Sequence, residues 1–285
     1  MKSIFLRSPA KLNLALKVLG KRPDGYHNLC TLFEKITLQD DMRFVATTSG
    51  KIRIYCHHPA VPRGPKNLIF KAARMLQEDL SISQGVDVYL IKRIPVAAGL
   101  AGGSSNAATT LLALDRLWGL NLSTAKLARY AKRLGSDVPL FIYKYNFCIG
   151  TERGDHIRGV KIGAKIWHVV VTPRLKVYSG EVFRALKREL TKISGNANIL
   201  TRELRKNDLR KASHFLSNDL EAAIVRVHPQ LRIIKNNIKR ITGLDVCFSG
   251  SGPSIFGLVS TQRQAQTMAR KLRQHYTHVV VARTL

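Results

Sequence analysis

Residues 95–106 read PVAAGLAGGSSN, and this segment restricts the fold more than any other. Three glycines, three alanines and two serines stand between an apolar run ending at Ile94 and a long stretch with helical spacing. A strand must hand over to a helix here through a loop almost without side chains. Such a loop brings backbone N–H groups close to an anion, and the following helix turns its positive dipole end to the same place. Ser104 and Ser105 add hydroxyls able to donate to phosphate or to ligate magnesium. The patterns GxxxxGK[ST] and GxGxxG do not occur in the chain, so a Walker loop and a dinucleotide fingerprint are excluded. A plain flexible connector has the same composition, so the role of the loop depends on what the chain supplies elsewhere.

Strand-like segments recur at residues 4–7, 11–19, 31–38, 42–47, 51–56 and 86–94. Residues 67–79 place Leu68, Ala72, Met75 and Leu76 on one helical stripe, with Asn67 at the N-cap position. The spacing predicts a helix from Ser104 or Ser105 to Leu117 that ends near Gly119. Another is expected over 123–134, capped by Ser123 and closed by Gly135. Strands are expected further on at 140–143, 166–172, 244–248, 254–259 and 277–282, and helices at 180–188, 208–215, 229–241 and 262–275. Strands interleaved with helices without regular βαβ spacing favour an α+β fold over a doubly wound parallel sheet. The polar, glycine-bearing stretch 150–163 is the expected division of the chain.

Hydrophobic residues make up 45% of the chain and charged residues 23%, the composition of a folded protein. No apolar run approaches the roughly 20 residues that span a bilayer, and residues 1–9 hold no signal-peptide core. A cytoplasmic protein without a membrane partner is expected. Cys30, Cys56, Cys148 and Cys247 show no metal-ligand or redox spacing and read as small buried hydrophobes. The net charge is +29, with 22 Lys and Arg against 9 Asp and Glu in residues 1–150, and 25 against 9 in residues 151–285. This excess forms no long basic run and no aromatic–basic repeat along the chain. A basic surface that steers anionic substrates is therefore favoured over a nucleic-acid partner. No feature of the chain fixes an oligomeric state.

Lys11 and Asn13 fall on one face of a strand by the two-residue period, where an ammonium beside an amide suits an anionic ligand. An edge strand with one polar face gives the same pattern. Pro23-Asp24-Gly25 is a turn that presents Tyr26 and His27, a ring able to stack on a base and a ring able to hydrogen-bond to one. Asp137 lies in GSDVP between a helix end and an apolar stretch. It is either a turn-former or a carboxylate placed for a hydroxyl proton.

In order along the chain, SPAKLNLAL (8–16), PVAAGLAGGSSNAA (95–108) and SGSGPSIFGL (249–258) resemble the three motifs of the GHMP kinase superfamily. Within it, LNLALKVLGKRPDGYHNLCTLFEKI (12–36) is similar to the bacterial 4-diphosphocytidyl-2-C-methyl-D-erythritol kinases of the non-mevalonate route to isoprenoid precursors. GSDVPLF (135–141) resembles their catalytic-aspartate segment. The resemblance implies an α+β, two-domain fold with the active site in the cleft between domains. Residues 1–152 would bind ATP and residues 153–285 would form the C-terminal domain. It implies transfer of the γ-phosphoryl of ATP, with Mg²⁺, to the 2-hydroxyl of 4-diphosphocytidyl-2-C-methyl-D-erythritol. Homoserine- or mevalonate-type kinases are the alternatives within the superfamily, and a basic nucleic-acid-binding protein is the alternative from another class.

By the same resemblance Asp137 matches the general base and Lys11 its partner. Asn13 and His27 match substrate contacts, and Tyr26 and Phe183 match the rings that sandwich cytosine. Pro95, Val96, Ala97, Ala98, Gly99, Leu100, Ala101, Gly102, Gly103, Ser104 and Ser105 match the phosphate loop, with Asn67 and Lys92 close to the nucleotide. Gly250 to Ser254 would close the site, and no side chain is singled out for the metal. Two departures stand out. Ala101 replaces a glycine of many relatives, which a loop tolerates if φ stays negative, and TERGD (151–155) departs from a more glycine-rich GxGE pattern.

Overall fold

The computed structural model describes residues 2–186 and 196–285. Among the described residues, eleven strands and nine α-helices fall into two compact units, each drawn from three stretches of chain. Strands β1 (Ser3–Lys21) and β2 (His27–Thr47) contribute to both. Residues 4–7 and 11–19, expected as separate strands, form one continuous strand. Pro9 does not interrupt it because β1 is at that point the last strand in its order and Pro9 owes no N–H to a neighbour. Likewise 31–38 and 42–47 are a single strand, with Asp40 and Asp41 in its middle.

The first unit (Met1–Ala10, Gln39–Val96, Ala101–Lys144) has the strand order β3 (Ile52–Tyr55), β4 (Gly85–Ile91), β2, β1. Ile52, Ile54, Val86, Val88, Leu90, Met42 and Phe44 are buried, while the alternate residues Arg53, Tyr55, Tyr89, Ile91 and Arg43 face solvent. Helix α1 (Leu68–Leu80) packs on β3, on α2 (Gly102–Leu117) and on α3 (Thr124–Leu134). Asn67 caps α1 by accepting from Ile69 N at 2.9 Å, and Ser123 caps α3 by accepting from Lys126 N at 3.2 Å, both as expected. Residues 140–143 are not the expected strand. Pro139 opens a 3₁₀ turn, Pro139–Phe141, whose apolar side chains are buried where it packs on α2 and α3.

Asp40 is wholly buried in this unit and accepts four hydrogen bonds. They come from Lys92 Nζ (2.7 Å), Arg93 N (2.7 Å), Ile94 N (2.8 Å) and Asn106 Nδ2 (2.9 Å). Asn106 also donates to Ser8 Oγ at 2.9 Å, and Ser8 in turn donates to Ser105 Oγ at 2.8 Å. One carboxylate thus ties β2, the exit of β4 and the first turn of α2. Burial pushes Lys92 below the usual lysine range, and the adjacent Asp40 charge opposes that shift.

The second unit (Lys11–Leu38, Ala97–Leu100, Tyr145–Leu285) holds β5 (Phe147–Glu152) between β2 and β6 (His156–Val160), and β8 (Ser217–Asn218) parallel to β1. The stretch 150–163 lies inside this unit as a hairpin, and Gly150 is there for packing. A Cβ on it would come within 2.6 Å of the Phe33 ring. A second sheet runs β11 (Val279–Arg283), β7 (Trp167–Val171), β10 (Ile255–Val259), β9 (Val246–Phe248), antiparallel throughout. Helices α4 (Ser179–Arg184), α5 (Asn196–Arg205), α6 (Leu209–Ser213), α7 (Glu221–Val227), α8 (Gln230–Thr242) and α9 (Gln262–Arg273) complete it. Val171, Val182, Ile224, Leu231, Phe248 and Ile255 belong to its core. Residues 187 and 188 of the helix expected over 180–188 lie outside the described residues. Glu34 on β2, buried 3.0 Å from His168 Nε2 on β7 and accepting from Thr284 Oγ1 at 2.6 Å, joins the two sheets. No helix among the described residues is long and apolar enough to cross a membrane.

Buried charges in both units are testable through stability. Asp40→Ala leaves the Lys92 ammonium and three other donors without their acceptor, and should lower the unfolding free energy by about 3–5 kcal/mol in urea titration. Burial pushes Lys35 down to about 8 from its ordinary 10.5, with Cys148 opposing. Between pH 8 and 10.5 the unfolded chain then holds more protons than the folded one, so stability rises with pH across that window. Measured against Lys35→Met, the parent should gain about 3 kcal/mol over that window. A pH-independent difference would rule the depressed lysine out.

Candidate active site

Helix α2 begins differently from α1 and α3. Its N-cap is Ala101, no side chain caps it, and no acid stands in its first turn. Ser105 N donates to Ala101 O at 2.9 Å, which leaves the amides of Gly102, Gly103 and Ser104 without an intrahelical acceptor. A Cβ on Gly103 would meet nothing nearer than Leu68 Cδ1 at 4.0 Å, whereas one on Gly102 would come within 2.8 Å of Lys92 Nζ. The ammonium of Lys92 therefore lies under the helix start, neutralised by Asp40, and the positive end of α2 is left for an anion. The helix starts two residues before the expected Ser104, which puts both glycines in its first turn.

Sequence-predicted residues of this unit divide by role. Ser105 is fully buried in the Ser8–Asn106–Asp40 network, so its hydroxyl faces the interior. The Asn67 side chain is spent on capping α1 and on donating to Pro62 O at 2.6 Å. Asp137 lies half-buried in the turn after α3, where Val138 N donates to Gly135 O at 3.2 Å. The network partners Asp40 and Asn106 were not among the sequence candidates. Asp40 falls in the gap expected between two strands, where an acid reads as part of a turn.

In the second unit, residues 11–13, 97–100 and 249–254 come together. Lys11 Nζ donates to Asn13 Oδ1 at 2.5 Å and lies 5.7 Å from the centroid of the Phe33 ring. Asn13 Nδ2 donates to Thr31 Oγ1 at 2.8 Å, which fixes the amide so that its oxygen meets the lysine. Lys11 N donates to Leu100 O at 3.1 Å, and Ser254 N to Ala98 O at 3.3 Å. Ser249 Oγ donates to Gly99 O at 3.0 Å. A Cβ on Gly99 would fall onto the Ser249 carbonyl oxygen, and one on Gly250 would come within 3.0 Å of Lys11 Nζ. Asn218 Nδ2 holds the third segment by donating to Phe248 O (2.9 Å) and Gly250 O (2.7 Å). Asn218 was not a sequence candidate, and nothing in its neighbourhood along the chain marks it.

At the Asp24 turn, Asp24 Oδ1 accepts from Tyr26 N at 3.1 Å and Arg22 N donates to Tyr26 O at 2.7 Å. The His27 ring stacks on Phe183 with centroids 5.3 Å apart. Burial, helped by Lys21, holds His27 below its ordinary value, so the imidazole is neutral at pH 7 and can accept as well as donate. Tyr26 is exposed and carries the Arg153 guanidinium 5.2 Å from its ring centroid, with Arg153 in turn paired to Asp155 at 2.6 Å.

Backbone conformation corrects one expectation. Ala101 does not keep a negative φ; it sits at +54°, and positive φ recurs at Ala97 (+53°) and Gly99 (+73°). Alternation of this kind turns successive N–H groups to one side, the form of an anion-binding nest. Glu152, at the other departure, sits at +58°.

In the first unit, an uncapped helix start behind a run of small residues is a means of holding phosphate. Residues 67–145 match the GHMP kinases N terminal domain and residues 200–278 the GHMP kinases C terminal, and the chain belongs to the GHMP kinase family. Membership implies that ATP is the phosphoryl donor. A 4-diphosphocytidyl-2-C-methyl-D-erythritol kinase of Bacillus subtilis is 36% identical over 285 residues, spanning 99% of this chain and 97% of that protein. The Geobacillus kaustophilus kinase of the same name is 38% identical over 284 residues, with the same coverage. A crystal structure of a 4-(cytidine 5'-diphospho)-2C-methyl-D-erythritol kinase superposes with TM-score 0.82 at 32% identity, covering 98% of each chain. A homoserine kinase from Cytophaga hutchinsonii, 20% identical, shares the fold with TM-score 0.78 over 100% of this chain and 95% of its own.

Left-handed backbone costs an L-residue about 1–2 kcal/mol and glycine repays about half of that in lost chain entropy. Ala101→Gly and Glu152→Gly should each raise the unfolding free energy by about 0.5–1 kcal/mol in denaturant titration. A loss at either position would show that its side chain makes a compensating contact.

Proposed function

We infer that this chain is an ATP-dependent kinase acting on the 2-hydroxyl of 4-diphosphocytidyl-2-C-methyl-D-erythritol. The observation that carries the acceptor's identity is 36–38% identity, over 99% of the chain, to proteins named for that activity. The neutral His27 ring stacked beside Phe183, with Tyr26 on the same turn, supports a pyrimidine at the acceptor end. The amides of Gly102, Gly103 and Ser104, with the nest that precedes them, would take the ATP phosphates. The uncompensated positive end of α2 fits that load.

Among the described residues no three His, Cys, Asp or Glu side chains cluster to hold a metal. Mg²⁺ suits such a site because it is carried largely by substrate phosphates and water, with the Ser104 hydroxyl as a further oxygen. It would supply charge neutralisation at the phosphates. In the reaction the acceptor oxygen bonds to the γ-phosphorus while the bond to the bridging oxygen breaks, releasing ADP. Asp137 orients the hydroxyl and takes its proton late, and Lys11, aimed by Asn13, stabilises the transferring phosphoryl charge.

A panel of acceptors with ATP and Mg²⁺ tests the reading. Turnover is expected with the cytidylyl acceptor and not with homoserine or mevalonate, and faster phosphorylation of either would overturn it. Asp137→Asn should lower kcat by about 10²–10⁴-fold with little change in KM. Near-normal turnover by that variant would remove Asp137 from the chemistry while leaving the acceptor assignment intact.

A further inference from the structure

Phosphoryl transfer leaves unused the solvent face of the sheet in the first unit. Strand register there brings three side chains into one row, Tyr55 opposite Tyr89 and Tyr89 opposite Arg43. The tyrosine rings stack, with centroids 4.8 Å apart and planes 12° from parallel, yet each residue stays 44% exposed. Phe5, 56% exposed, lies on the same side of β1, between Lys2, whose carbonyl accepts from Ala46 N, and Arg7, whose guanidinium reaches Asp41. Arginines surround the row: Arg53 pairs with Asp87 at 2.6 Å, and Arg7 and Arg93 share Asp41 at 3.9 and 2.7 Å. Four arginines thus stand against two acids on this face.

Exposed aromatic rings in a contiguous patch mark an interaction surface rather than ordinary solvent-facing residues. Rings stacked with a guanidinium in the next position form a platform on which unpaired bases stack, and the arginines around it suit the phosphates between those bases. A second copy of the chain is the poorer occupant. Each copy carries a net charge of +29, and apposing two arginine-rich faces brings like charges together with few acids to meet them. A polyanion complements that charge. The phenol hydroxyls of Tyr55 and Tyr89, which can both donate and accept, favour a strand that offers 2′-hydroxyls. We propose that this sheet face binds single-stranded RNA, with bases stacked along Tyr55, Tyr89 and Arg43 and phosphates held by Arg7, Arg53 and Arg93.

Fluorescence anisotropy of the full chain with a labelled oligouridylate of about 12 nucleotides, within the span a single-strand site covers, tests the proposal. Binding should weaken with salt, and Tyr89→Ala should cost about tenfold or more in affinity, while Tyr89→Phe, which keeps the ring and loses the hydroxyl, should cost less and narrow the preference for RNA over DNA. Arg43→Gln should weaken binding, and both variants should keep the parent's kinase turnover and unfolding midpoint. Oligothymidylate of the same length should bind more weakly than the RNA. The proposal is overturned if Tyr89→Ala binds as the parent does, if the DNA strand binds as tightly, or if no salt-sensitive binding is seen. It is overturned equally if sedimentation shows a dimer that Tyr89→Ala dissociates, since the row would then be a self-association surface.

Discussion

The backbone of Gly99 lies so close to the Ser249 and Gly252 carbonyls that no side chain fits between them. Much of the second unit's polar arrangement depends on that approach. It lets Ser249 donate to Gly99 O and Ser254 donate to Ala98 O, and it seats the loop where Lys11 N can donate to Leu100 O. With the loop seated, Gly250 passes within contact of Lys11 Nζ and Asn13 Oδ1, and the ammonium keeps its place beside the amide. A glycine here is a packing requirement. Flexibility would undo it, because the segment that bears these carbonyls is itself held by Gly252 N donating to Ser249 O, by Ser249 N donating to Ser254 O and by Asn218.

Residues with a local signature are legible in the sequence. Asn67 and Ser123 cap their helices, Asp24 closes its turn, and the small-residue loop ends at a helix start, because each depends on neighbours a few positions away. What cannot be read there depends on distant partners. The break expected near residues 8–10 and 39–41 vanishes because the polar residues there, Ser8 and Asp40, find acceptors and donors on α2 and on the residues that follow β4. A polar run in a strand reads as a loop until its partners are known. Residues 140–143 failed for a related reason. Four apolar residues are as compatible with a buried 3₁₀ turn as with a strand, and Pro139 tips the balance toward the turn. The seven residues of α7 and the two of β8 are too few to show any period.

Two substituted glycine positions are informative in the same way. Along the chain, Ala101 implies a negative φ and TERGD departs from a glycine-rich pattern. The structure keeps the left-handed backbone at both and accepts the strain. At Ala101 the reason is visible in its surroundings. Gly102 cannot carry a side chain above Lys92, so the turn into α2 must be completed by the residue before it, whatever that residue is. The geometry of the helix start outranks local preference by about the 1–2 kcal/mol such a residue costs.

Strands β1 and β2 carry an unusual load for long, mostly buried strands. Ser8, Lys11 and Asn13 on the first, and Thr31, Glu34 and Asp40 on the second, are all buried polar groups. Each would cost several kcal/mol if left without a partner in an apolar interior. Most are instead joined in pairs and triads: Asn13 to Thr31 and Lys11, Glu34 to His168 and Thr284, Asp40 to Lys92 and Asn106. An apolar strand would build the sheets as well and would leave the partners of these groups free to shift. Satisfied polar pairs do what apolar contacts cannot, because a hydrogen bond holds direction as well as distance. Lys11 is aimed by Asn13, which is aimed by Thr31, which donates to the Ala15 carbonyl of β1. The orientation of the one ammonium in this cluster is therefore set by the register of β1 against β2, and a slip of a single residue would turn it to the opposite face.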